Sequence, residues 1–102
     1  MTMQQYKPPH PGELIYRTYI EPFESVSASR IAMNMGVNRS TFSRLIAGNA
    51  GITPEMAIRL SAVLGRTPES WLLLQDSYDL FKARSAVDTS QMNQIDFASM
   101  AS

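Results

Sequence analysis

The chain has 102 residues, 44% of them apolar, no cysteine, and a net charge of zero. That suffices for one small domain with a modest core, and it excludes disulfides and cysteine-based metal or redox chemistry. No apolar run approaches the roughly 20 residues of a membrane span. The polar opening with Gln4, Gln5, Lys7, Pro8 and Pro9 lacks the apolar stretch of a secretory signal, so the expected location is the cytoplasm.

Residues 1–10 read as a flexible arm, because Lys7-Pro8-Pro9 disfavours helix. Pro11 suits the first turn of a helix, and Glu13 suits its positive end. Leu14, Ile15, Thr18 and Tyr19 form one face as far as about Ile20, and Pro22 ends the helix. Phe23 and Val26 are expected to lie over the core. Ser27 is an N-cap for the next helix, about Ala28–Met35, in which Ile31, Ala32 and Met35 share a face. Gly36 supplies the backbone freedom of a sharp turn. Asn38 then caps a second short helix whose Phe42, Leu45 and Ile46 face inward.

That pair, 27–48, reads as a helix-turn-helix. The outward side of its second helix carries Arg39, Ser40, Thr41, Ser43 and Arg44, as docking in a DNA major groove requires. Arg39, Ser40 and Arg44 are the expected base readers, since a guanidinium can grip guanine O6 and N7 with two parallel hydrogen bonds. Asn38, Thr41 and Ser43 are short groups suited to phosphate oxygens. Ser27 and Ala28, at the positive end of the first helix of the pair, and Asn49, just past the second, are further phosphate candidates. Asn38 as a simple cap, and arginines merely facing solvent, are the plainer readings. The charge distribution favours DNA: residues 25–66 carry a net +4, those before them −1 and those after −3. Phosphate contact needs a local positive patch rather than a basic whole protein.

Gly48-Asn49-Ala50-Gly51 is a loop. Thr53-Pro54-Glu55 restarts a helix, with Met56, Ala57, Leu60, Val63 and Leu64 as its inner stripe and Gly65 as a left-handed terminator. Thr67-Pro68-Glu69 repeats the start signal. The last long helix carries Trp71, Leu74, Tyr78 and Phe81 on one stripe, widened by Leu72, Leu73 and Leu80. This is more apolar surface than one side of a small domain usually uses. The surplus points to a second copy of the chain, with Trp71, Leu74, Tyr78 and Phe81 as the dimer interface; a terminal helix folded onto its own core is the alternative. From about residue 84 to 102 the polar composition predicts a flexible tail. No strand-like alternation occurs, so the fold is all-α, with the globular part at 11–83.

The motifs His10-Pro11-Gly12-Glu13-Leu14-Ile15, Gly36-Val37-Asn38-Arg39-Ser40-Thr41-Phe42-Ser43-Arg44-Leu45, Ile52-Thr53-Pro54-Glu55-Met56-Ala57-Ile58-Arg59-Leu60, Thr67-Pro68-Glu69-Ser70-Trp71-Leu72 and Gln75-Asp76-Ser77-Tyr78-Asp79-Leu80 resemble the HigA/VapI antitoxins. These are a branch of the lambda-repressor-like (XRE, Cro/CI) helix-turn-helix proteins. Ser70 departs from the pattern, which more often has Phe before the Trp. The resemblance spans about residues 9–81. It implies a five-helix, lambda repressor-like DNA-binding domain that dimerises on an inverted-repeat operator. It also implies a repressor of its own operon that binds and neutralises a HigB-type toxin, an mRNA-cleaving enzyme of the RelE class. A stand-alone regulator without a toxin, and an interaction module that inhibits an enzyme without DNA, are the other readings. Catalysis finds no support. His10 is the only histidine, no nucleophile set accompanies it, no phosphate-binding glycine loop occurs, and no cofactor is expected.

Overall fold

The computed structural model describes residues 7–101. The part of the expected arm at 1–6 lies outside them. Among the described residues all regular structure is helical: α1 (Pro11–Ile15), extended by a π-helical turn (Tyr16–Ile20), then α2 (Ala28–Met35), α3 (Arg39–Ile46), α4 (Pro54–Leu64), α5 (Pro68–Ala86) and a short α6 (Phe97–Met100).

The starts follow from local chemistry. Ser27, Thr53 and Thr67 each accept a hydrogen bond from the backbone N–H three residues on, at 3.1, 3.2 and 3.1 Å. Each cap satisfies one of the donors a helix start leaves over. His10 does the same for α1, where its Nδ1 accepts from Gly12 N–H at 2.9 Å. Residues 8–10 are therefore half-buried and attached, where the sequence suggested a loose arm. Asn38 has the extended backbone of an N-cap but makes no side-chain cap bond, which leaves its amide available.

The ends hold one further correction. Gly65 has φ 96° and ψ −165°, outside the left-handed helical region that was expected. The left-handed residue is Arg66, with φ 65°. A non-glycine residue there costs about 1 kcal/mol or more, and three contacts offset it. Ser61 Oγ donates to the Arg66 carbonyl at 2.6 Å, Arg66 Nε donates to Ser70 Oγ at 3.2 Å, and the guanidinium stacks 5.2 Å from the Trp71 ring centroid.

Ile15, Ile31, Ala32, Met35, Phe42, Leu45, Ile52, Ala57, Leu60 and Trp71 form the core. Fully burying each large member stabilises the fold by about 1.5–3 kcal/mol. Trp71 is 0% exposed, and its Nε1 donates to the Gly65 carbonyl at 2.8 Å. It is thus a keystone of its own core and is withdrawn from the expected dimer interface; Leu74, Tyr78 and Phe81 are half-buried. Phe23, expected over the core, is exposed, while Val26 packs against it. Thr18 also faces solvent, on the widened turn that closes with Glu21 N–H on the Tyr16 carbonyl at 2.8 Å.

One core polar group was not foreseen. Gln75, 8% exposed, accepts from Ile52 N–H at 2.8 Å and donates to Asp79 Oδ1 at 3.0 Å. It ties the loop before α4 to α5. Beyond Ala86 the chain has no regular structure until α6, which Asp96 caps through Ser99 N–H at 3.2 Å.

Candidate nucleic-acid interface

Helix α3 is held from below and at both ends. Beneath it, the N-terminal turn of α1 comes so close that a Cβ on Gly12 would overlap the Leu45 carbonyl. This contact explains the glycine after Pro11. At the front, Gly36 takes φ 72° and closes α2, with Val37 N–H on the Ala32 carbonyl at 3.0 Å. At the rear, Gly48 takes φ 83°, and Asn49 N–H returns to the Arg44 carbonyl at 2.8 Å. Phe42 and Leu45 are buried.

The outward face follows from that seam. With about 100° of rotation per residue, Ser40 and Arg44 stand one turn apart and opposite Phe42 and Leu45. Ser43 lies beside them, and Arg39 and Thr41 flank the face. All five are exposed, as are Asn38 and Asn49. Among the described residues neither Arg39 nor Arg44 makes an ion pair or a side-chain hydrogen bond. Ser27 is exposed at the start of α2 with its oxygen engaged in the cap, and Ala28 is half-buried next to it. The structure thus brings Asn38, Arg39, Ser40, Thr41, Ser43 and Arg44 together on one short helix and its cap.

The five arginines that made 25–66 basic are not equivalent. Arg30 donates to the Ser25 carbonyl at 3.1 Å. Arg59 donates to the Met35 carbonyl at 2.6 Å and pairs with Glu55 at 3.1 Å. Arg66 lies over Trp71. Arg39 and Arg44 are the two whose heads project from α3 without such engagements.

A half-buried histidine lies behind α3. The His10 ring meets Tyr78 edge-on, with centroids 4.9 Å apart, and approaches Gly48. Burial pushes its pKa below the usual histidine value, against the Ala50 carbonyl and the Asp79 carboxylate, which favour the charged ring. The neutral ring is also what the cap on Gly12 requires, since a protonated imidazole has no acceptor nitrogen. Among the described residues no group of three or more His, Asp or Glu side chains could hold a metal ion. No described helix is long and apolar enough to cross a membrane.

No protein-family model matches the chain. An uncharacterised helix-turn-helix-type transcriptional regulator of Escherichia coli K12, YddM, is 40% identical over 93 residues, covering 91% of this chain and 97% of that protein. The antitoxin HigA-1 of Vibrio cholerae is 38% identical over 85 residues, covering 83% of this chain and 79% of its own length. Among solved structures, PA4674 of Pseudomonas aeruginosa bound to its 28-bp operator DNA superposes with a TM-score of 0.72 at 30% identity, over 78% of this chain and 86% of that one.

Proposed function

The chain belongs to the HigA-type antitoxins among the XRE, lambda-repressor-like helix-turn-helix proteins, and from that premise we propose that it is a dimeric DNA-binding antitoxin. It represses its own operon in the cytoplasm and neutralises a HigB-type, RelE-class mRNA-cleaving toxin by binding it. The observation that carries the DNA-binding part is the outward face of α3. Two arginines and a row of short hydroxyls stand exposed on a helix fixed by Gly12, Gly36 and Gly48.

Arg44 and Ser40, at the centre of that face, and Arg39 at its edge meet base edges. Asn38, Thr41, Ser43 and Asn49, with the start of α2 at Ser27 and Ala28, meet phosphates and set the register. Leu74, Tyr78 and Phe81, continued by the exposed Leu73 and Leu80, pair two copies. Their α3 helices then reach major grooves about 34 Å apart on an inverted repeat. The DNA complexes of the structurally similar antitoxins HigA of Pseudomonas aeruginosa and GraA support the DNA-binding part of this reading. A stand-alone regulator is the second reading, favoured by the regulator YddM at 40% identity.

The test combines two assays. The protein is titrated onto the DNA upstream of its own gene, and it is co-expressed with any small basic protein encoded next to that gene. Operator binding with rescue of growth arrest and a co-purifying complex supports the antitoxin. Operator binding with no toxic neighbour supports the stand-alone regulator. Failure to bind the upstream DNA excludes both.

A further inference from the structure

The geometry points to Arg59 of α4 as a positioning residue for α3: its guanidinium fixes the turn that aims the DNA-facing helix, and it makes no DNA contact itself. The inference rests on the DNA-binding reading above and adds a residue outside the helix-turn-helix to it.

The carboxyl end of α2 leaves carbonyls without partners inside the helix. Gly36 N–H uses those of Ala32 and Met33, and Val37 N–H uses that of Ala32 again. The Met35 carbonyl receives Arg59 Nη1 at 2.6 Å, from 24 residues further along the chain. This bond is charge-assisted and places a cation at the negative end of the α2 dipole. The second arm, Nη2, donates to Glu55 Oε1 at 3.1 Å. Glu55 is 77% exposed, so this pair adds orientation more than energy. Gly36, left-handed at φ 72°, leaves the space that the guanidinium fills, since a Cβ there would come 3.3 Å from Arg59 Nη1.

Placement gives this bond its leverage. Helix α3 packs against α1 and α2. A cleft of about 320 Å³, with Val37 and Thr41 on one side and Met56 and Arg59 on the other, opens between α3 and α4. Arg59 therefore spans from α4 to the α2–α3 turn where apolar packing between α3 and α4 is thin. With the strut removed, the turn can relax and α3 can tilt. Base contacts need fixed geometry and suffer most. Phosphate contacts, carried by mobile charged and hydroxyl groups, suffer least.

The experiment measures affinity for operator and for random-sequence duplex across a series of salt concentrations, using the whole protein, Arg59→Met and Arg59→Lys, with the melting temperature of each. For Arg59→Met the operator affinity should fall about tenfold to a hundredfold, as for the loss of one well-made base contact. Random-duplex affinity and both salt slopes should stay unchanged. Arg59→Lys, which keeps the charge but not the fork, should lie between. A salt slope lower by about 0.9, with operator and random DNA weakened alike, would make Arg59 a phosphate contact and overturn the inference. Unchanged affinities per folded molecule would make it a stabilising brace only, and equally overturn it. If the unsubstituted protein fails to bind operator, the functional reading falls. The positioning role is then decided by amide exchange. Faster exchange at residues 36–41 in Arg59→Met, with the core of α5 unaffected, upholds it; no change at 36–41 refutes it.

Discussion

Helix α3 has eight residues and α5 has nineteen, and they present their side chains in different ways. In α3 the apolar and polar groups are segregated, with Phe42 and Leu45 inward and Ser40 and Arg44 outward. One close approach at Gly12 and two left-handed glycine turns at Gly36 and Gly48 hold its position. In α5 the apolar residues are spread around the axis. Trp71 is in the core, Leu74 and Phe81 are half-buried, and Leu73 stands 64% exposed. A short helix fixed on three sides suits a task that depends on angle, such as reading base edges. A long helix with apolar groups on several sides suits a task that depends on area, such as holding a second subunit. The charges divide the same way, with the positive excess before residue 67 and the negative excess after it.

The largest expected effect falls on the support of α3. Gly12→Ala places a methyl group into the Leu45 carbonyl, and backbone there cannot yield cheaply. The cost is about 3 kcal/mol, a large share of the stability of a small domain, with a melting temperature lower by roughly 12 °C or more by calorimetry. An unchanged melting temperature would show that α1 and α3 do not need this approach. The corresponding support of α5 is polar. Gln75→Leu leaves Ile52 N–H buried without a partner and should cost about 1–3 kcal/mol in urea denaturation. The operator affinity of the folded fraction should be retained, because α3 is untouched. A loss of affinity beyond the loss of folded protein would mean that the two regions are coupled.

A smaller effect is expected at the outer face of α5. Phe81→Glu puts a charge on the proposed pairing surface and should weaken the proposed dimer by about tenfold or more in sedimentation equilibrium, with little change in helix content. A dimer unaffected by the charge would move the interface off α5. The smallest effect is the pH response of His10. Burial lowers its folded-state pKa below the ordinary histidine value of 6.5, so the unfolded chain binds more protons just below that ordinary value. Its contribution to stability is fully present above that value and is lost as pH falls through it towards the lower folded pKa. His10→Asn keeps a capping acceptor without the titration. The variant should therefore show a flatter stability profile between pH 7 and 5; an identical profile would remove His10 as the source.

The starts of the helices were legible because capping is local. Ser27, Thr53-Pro54-Glu55 and Thr67-Pro68-Glu69 each set three or four residues in a way their neighbours determine. Which face of α3 turns outward was legible too, since the Phe42–Leu45 spacing leaves few choices. What sequence reasoning missed depends on contacts between distant segments. Gly12 meets Leu45, Gln75 meets Ile52 and Arg59 meets Met35; no periodicity within one helix records such partners. Trp71 misled for the same reason: its stripe on α5 is apolar whether it faces the core or a partner, and only the Gly65 carbonyl and the residues around it decide. Counting arginines likewise overstated the patch, because charge along a chain does not show which heads are already engaged.

The most direct measurement replaces the two projecting arginines together. Arg39→Ala/Arg44→Ala is compared with the unsubstituted protein for binding to the DNA upstream of its own gene, at one fixed salt concentration and with melting curves alongside. The expected result is an unchanged melting temperature and an affinity for that DNA that drops to the level of random sequence. A folded double variant that still prefers its upstream DNA as strongly as the parent would contradict the assignment of base reading to α3.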